Sequence, residues 1–306
     1  MQFLPRIVHH LRFPVPRRIG LGPLGARALA LCCALLVGIG AAFAQGDAKK
    51  GQYLAKAAGC MGCHTDTAAG ATPYAGGRML DTPFGKFYGP NITPHQQHGL
   101  GKWTEADFRR ALRLGERPDG THYFPAFPYL SFTGITDADM RDLWVYLQTL
   151  PAANRPNRAH ELRFPFGWRF LVTFWKWLFF SPQAFVANPQ AGAQVNRGAY
   201  LVNALGHCGE CHTPRNFLGG PKTDRRLAGG VLAEGRVPNL TPTRLKKWDD
   251  PQLKKFLGSG VTPEGDATAD TMYEVIRNTT SQLTPEDLGA LVAYLRELAP
   301  VADEAR

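Results

Sequence analysis

Four of the six cysteines in this chain form two copies of one five-residue string. These are Cys60-Met61-Gly62-Cys63-His64 and Cys208-Gly209-Glu210-Cys211-His212. Two thiols three residues apart lie on one face of a helical turn. The histidine that follows is carried beneath whatever the thiols hold, where its imidazole can bind a metal. C-x-x-C-H is the pattern that attaches haem c: the thiols reach the two vinyl groups and the histidine ligates the iron. With six Cys and nine His in 306 residues, a chance match is expected about 0.003 times, so two copies are not an accident. Cys60, Cys63, Cys208 and Cys211 are therefore expected to anchor two covalent haem c groups. His64 and His212 are expected to be axial iron ligands.

Three other chemistries use similar residues. Zinc sites pair cysteines, but they do not require a histidine directly after each second Cys. A redox dithiol would sit in a βαβ context that is missing here. A disulfide across two intervening residues is strained and uncommon.

The elements that position these motifs come as a repeat. Gly51-x-Tyr53-Leu54 precedes the first motif and Gly198-x-Tyr200-Leu201 the second. Pro90-Asn91-Ile92-Thr93-Pro94 recurs as Pro238-Asn239-Leu240-Thr241-Pro242, 27 residues after the motif histidine each time. Trp103 to Gly115 and Trp248 to Gly260 both span 12 residues, and His64 to His212 is 148. Two versions of one domain follow, each with its own cofactor as a core. Helices are expected over Asp47 to Gly59 and Gln194 to Gly206. Thr104, Thr136 and Thr284 start further helices with a hydroxyl cap and early acids, and Pro285 takes the first helical position. Leu288, Leu291, Val292, Leu295 and Leu298 mark one apolar helix face. Gly70 to Pro94 and Ala228 to Pro242 read as Gly- and Pro-rich loops around the porphyrin edge. The fold class expected is mainly α: two tandem class I cytochrome c domains, residues 45–153 and 193–302, joined by an aromatic-rich linker over 154–192.

At 44% hydrophobic and 20% charged residues the chain is globular, neither disordered nor collagenous. The formal charge of +10 is uneven. Residues 1–44 hold five Arg and no acid, and without them 30 basic side chains face 25 acidic ones. The excess is no nucleic-acid footprint; it suits an acidic partner or a membrane surface. Residues 1–44 read as a signal peptide: a basic stretch to Arg27, an uncharged run from Ala28 to Ala44, and Ala42-Phe43-Ala44 as the cleavage site. An uncleaved anchor is the alternative, and Arg17-Arg18 hints at twin-Arg export. The mature chain is expected in the periplasm, peripheral on the outer face of the cytoplasmic membrane.

Leu162 to Phe185 holds ten aromatics in 24 residues, with Arg163, Arg169 and Lys176 and no acid. It is too short and too charged to span a bilayer. It suits a helix lying in the headgroup region or against a partner; packing between the domains is the other possibility. His95, His98 and His207 read as solvated or loop histidines, and His160 has no evident role.

The two C-x-x-C-H domains, the N-I-T-P and N-L-T-P loops, and the string from Asn196-Arg197-Gly198 through Gly206-His207-Cys208 to Pro214-Arg215-Asn216 resemble one family. It comprises the cytochrome c subunits of membrane-associated bacterial dehydrogenases for alcohols, aldehydes and sugar acids. The resemblance covers about residues 47–300. The family pattern has three haem domains; two are read here. It implies a subunit without catalysis of its own, which takes electrons from a dehydrogenase catalytic subunit and passes them to quinone, an oxidase or a soluble cytochrome of the respiratory chain. Methionine is the usual soft sixth ligand of such haems. Met272 is the only methionine of the second domain and lies where the family places its ligand. Aligning Pro118-Asp119-Gly120 with Pro263-Glu264-Gly265 puts Phe127 at the matching place in the first domain. Phenylalanine has no lone pair for iron. The first haem is then either open or ligated by His122, with Met79 and Met140 as further candidates. An open iron allows another class of function, a dihaem peroxidase-type enzyme or a haem ligand sensor.

Overall fold

The computed structural model describes residues 46–303, apart from 233, 234 and 269. The expected signal peptide lies outside the described residues. The first domain runs α1 (Ala48–Ala57), α2 (Cys60–His64), a hairpin β1 (Met79–Thr82) and β2 (Gly85–Tyr88), α3 (Glu105–Leu114), α4 (Tyr129–Phe132) and α5 (Asp137–Gln148). The linker supplies a short strand β3 (Glu161–Leu162) and α6 (Arg169–Phe179). The second domain runs α7 (Ala193–Tyr200), a π-helical turn (Leu201–Leu205), α8 (Gly209–His212), a hairpin β4 (Gly230–Leu232) and β5 (Gly235–Val237), α9 (Pro242–Leu245), α10 (Asp250–Ser259), α11 (Asp270–Asn278) and α12 (Pro285–Glu297).

The expected caps form. Thr104 Oγ1 accepts from Asp107 N, and the Asp107 carboxylate accepts from Thr104 N in return. Thr136 and Thr284 accept from the amides of Asp139 and Asp287. Each cap satisfies an orphan donor and sets where its helix begins. In both domains the first helix crosses the last: α1 on α5, and α7 on α12. The repeated glycines explain how closely. A Cβ at Gly51 would overlap the Asp142 carbonyl, and one at Gly198 the Ala290 carbonyl.

The apolar faces meet as expected. Leu54, Leu112, Ile135, Met140, Leu143 and Leu147 form the first core, and Leu291, Val292 and Leu295 of α12 join Val202, Leu227 and Leu253 in the second. The first cluster also takes in Tyr200, Leu201, Ala204 and Leu205, so the domains share apolar surface and form one unit.

A reciprocal polar exchange crosses the same boundary. Tyr53 of α1 donates to Asp287 of α12 at 2.5 Å, and Tyr200 of α7 donates to Asp139 of α5 at 2.5 Å. Arg197 holds Asp287 with two bonds of 2.7 Å, and Lys50 lies 2.7 Å from Asp139. Each partner is the repeat equivalent of the other.

The structure corrects one expectation and adds to another. The stretches read as loops contain antiparallel hairpins, pairing Met79 with Tyr88 and Gly230 with Val237. The linker also contributes to the first domain's sheet: Glu161 and Leu162 add a third strand beside Lys86 and Gly85. Short runs of three or four residues around glycines carry too little alternation to announce a strand.

Candidate haem sites

A left-handed residue precedes each motif, Gly59 (φ 62°) before Cys60 and His207 (φ 41°) before Cys208; the first motif is helical from Cys60, and the second from Gly209 with Cys208 as its N-cap. Each motif histidine is then held by a proline carbonyl. His64 Nδ1 lies 2.7 Å from Pro90 O, and His212 Nδ1 lies 2.7 Å from Pro238 O. A carbonyl can only accept, so Nδ1 carries the hydrogen and Nε2 keeps its lone pair, the arrangement expected of a metal-ligating imidazole. Burial lowers the pKa of both rings, against a smaller opposite push from the proline carbonyl, and favours the neutral form that binds metal.

The N-x-T-P loops explain why those carbonyls are in place. Asn91 and Asn239 are each 2% exposed. Asn91 Oδ1 accepts from Thr93 N at 2.9 Å and Thr93 Oγ1 at 2.7 Å, while its Nδ2 donates to Ala153 O at 2.8 Å. Asn239 Oδ1 accepts from Thr241 N and Oγ1, both at 2.7 Å, and its Nδ2 donates to Val301 O at 2.8 Å. The amide thus ties the loop to the chain after the domain's last helix and fixes the proline before it. A second tie closes each motif: Gly76 N donates to His64 O at 2.8 Å and Gly229 N to His212 O at 2.9 Å.

The residues fit a covalently attached haem. Paired cysteines, an imidazole fixed through Nδ1 and an apolar wall meet at each motif. Cys60 packs on the first core, and Cys208 and Met272 on the second. Cys60 and Cys63 form no disulfide. Among the described residues no cluster of three or more His, Cys, Asp or Glu is arranged to hold a bare metal ion.

The other candidate ligands fall in different surroundings. Met272 lies on α11, half-buried against the second core. Phe127 packs edge-on against Tyr123 and Phe132, at 5.2 and 5.7 Å between ring centres. Met140 is fully buried among helices and Met79 is exposed on β1. His122 Nδ1 lies 2.9 Å from Lys176 Nζ of the linker helix. An ammonium is a donor, whereas a ligating imidazole needs an acceptor on its second nitrogen.

The histidines read as solvated or loop groups lie in loops but pack against neighbours, and His160, given no role by the sequence, has partners as well. His207 is half-buried, edge-on to Phe132 at 5.4 Å. His160 Nδ1 accepts from Tyr88 N at 3.2 Å, and its ring packs on Phe87 and Phe124. His95 stacks on His98, with its Nδ1 accepting from His98 N at 3.2 Å. One signal for His207 was present in the sequence. Tyr53 to Cys60 is seven residues but Tyr200 to Cys208 is eight, so the repeat gains a residue just before the second motif.

Comparison with known proteins gives the class. The cytochrome c family pattern matches residues 48–151 and again 195–299. The chain belongs to the cytochrome c family, as two tandem domains that carry two covalent haem c groups. It is 42% identical over 261 residues to a dihaem c-type cytochrome of Cereibacter sphaeroides, covering 84% of this chain and 87% of that one. It is 37% identical to the fructose dehydrogenase cytochrome subunit of Gluconobacter japonicus, covering 84% of this chain and 54% of the relative. It is 36% identical to the cytochrome c subunit of the quinone-dependent alcohol dehydrogenase of Gluconobacter oxydans, covering 88% and 59%. The chain therefore spans little more than half of these two dehydrogenase subunits.

Proposed function

We propose that this protein is the electron-transfer subunit of a dehydrogenase. It takes electrons from a catalytic partner and passes them to quinone, an oxidase or a soluble cytochrome of the respiratory chain. The observation that carries this reading is that both haem motifs belong to one compact unit, joined by a shared core and a reciprocal Tyr–Asp exchange. The named functions of its relatives support it. When bound, the haem supplies a reversible one-electron couple. The chain's part is to anchor it through Cys60, Cys63, Cys208 and Cys211, to hold His64 and His212 as axial ligands, and to offer Met272 on the second haem. Phe127 leaves the first haem without a methionine, and the Lys176 contact opposes the use of His122 in the arrangement seen.

The same reading places the mature chain in the periplasm, against the membrane. Among the described residues no helix is long and apolar enough to cross a bilayer. On α6, Phe170, Phe174 and Trp177 form one face and are 57, 62 and 83% exposed. Val172 and Lys176 point inward, and Trp175 Nε1 donates to Leu218 O at 2.9 Å. Such an aromatic face suits the headgroup region. The deciding experiment is purification of the native complex followed by addition of the dehydrogenase's substrate. Reduction of both haems supports the reading. A protein that co-purifies with no dehydrogenase, and whose haems no dehydrogenase reduces, sinks it.

A further inference from the structure

His207 is strained, displaced and aimed at the other domain. The equivalent residue of the first domain is Gly59, whose left-handed φ of 62° carries little cost. His207 adopts φ 41° with a side chain, a conformation that L residues other than glycine hold only at a cost. Such outliers persist where the surroundings over-determine them. The extra residue of the second repeat is absorbed just upstream, in the π-helical turn Leu201–Leu205, where Gly206 N donates to Leu201 O at 2.6 Å. Single π-turns inside helices recur at functional sites.

The ring points across the domain boundary. It stands edge-on to Phe132 of α4 and meets the backbone of Ala58, two residues before Cys60. A Cβ on Gly59 would lie 3.8 Å from His207 Nε2, so the bare glycine leaves the imidazole its space. Burial lowers the pKa of the ring and keeps it neutral. The neighbouring contact is also inter-domain: Ser131 Oγ donates to Glu210 Oε1 at 2.9 Å, and Arg215 holds Glu210 Oε2 at 2.6 Å. A continuous path results. It runs from Cys60 through Gly59 to the Ala58 backbone, crosses one non-covalent gap to the imidazole, and continues through His207 to Cys208.

We propose that His207 is the bridge through which an electron passes between the two haems; this rests on the electron-transfer reading above. One electron crosses, oxidising one iron and reducing the other. The imidazole keeps its proton and no bond is made or broken.

The test uses the full holoprotein, half-reduced, with the exchange broadening of the hyperfine-shifted haem methyl resonances as readout. The concentration-independent part of that broadening is the exchange between haems of one molecule. His207→Gly keeps the left-handed turn and removes the ring, and is expected to slow this exchange several-fold with both reduction potentials unchanged. His207→Asn, which tolerates the same backbone and keeps a donor, is expected to fall between the two. An unchanged rate in His207→Gly overturns the proposal, as does a slowing accompanied by shifted potentials. Should His207→Gly fail to take up both haems, His207→Asn is judged by the same two criteria. Failure of the functional reading looks different: no dehydrogenase would reduce either haem, whatever the exchange rate between them.

Discussion

In the first domain Nδ1 of His64 stands 2.7 Å from Pro90 O, and in the second Nδ1 of His212 stands 2.7 Å from Pro238 O. The buried asparagines behind those prolines make matching bonds. The domains part company at the place proposed for the sixth ligand, where Phe127 aligns with Met272 in the repeat. The histidine side is built from one local loop whose every bond depends on the next, so it varies little between the copies. The proposed ligand side rests on a single side chain, Met272, and at the aligned place Phe127 packs edge-on with Tyr123 and Phe132.

The largest effect is expected from erasing this difference. Met272→Ala should change the visible spectrum and lower the reduction potential of one haem only. Phe127→Met exchanges one large apolar side chain for another and should cost less than about 1.5 kcal/mol. It is expected to add methionine–iron absorption to the first haem. An unchanged spectrum in Met272→Ala would remove the distinction between the two haems.

The shared scaffold can be tested next. Asn239→Ala removes the bonds to Thr241 N, Thr241 Oγ1 and Val301 O, leaving only the longer direct contacts between Thr241 Oγ1 and Val301, and should lower thermal stability by about 1–3 kcal/mol. Asn91→Ala should do the same in the first domain. If only one of the pair matters in thermal unfolding, the loops are not equivalent.

The exchange between domains predicts a pH response. Burial alone would raise the pKa of Asp287, but the bonds from Arg197 and Tyr53 outweigh it and hold the carboxyl low. A carboxyl lower in the folded state stabilises above its unfolded pKa of about 3.9, and the contribution is lost as pH falls through the folded value. Asp287→Asn should destabilise at pH 7 and flatten the loss of stability below about pH 4. Acid unfolding curves that coincide for the two proteins would contradict this.

The smallest effect is expected at the half-exposed Arg78–Glu274 pair, which links the first domain to α11 at 2.8 Å. Arg78→Ala should cost no more than about 1 kcal/mol in thermal unfolding. A larger loss, or a change in the second haem's spectrum, would show that this contact helps to position Met272.

The legible parts of the molecule are those that neighbouring residues decide. The C-x-x-C-H strings, the threonine caps and the apolar face of α12 all act within one or two helical turns. The hairpins were missed because Met79–Thr82 and Gly230–Leu232 are too short for a period-two pattern to show. The linker helix was legible as aromatic, basic and free of acids. Which of its faces turns inward was not, because Lys176 is buried by Leu114 O and His122, 62 and 54 residues away.

The sequence by itself determined two haem attachment motifs, the histidines proposed as their ligands and the repeat that carries them. Those features follow from residue type at fixed local spacing. The tertiary structure decided how the copies face each other. Tyr53 reaches Asp287 across 234 residues, and the ring of His207 comes to lie beside Ala58. No local pattern encodes such pairings, because they exist only once two helices from different domains have packed together and excluded water between them.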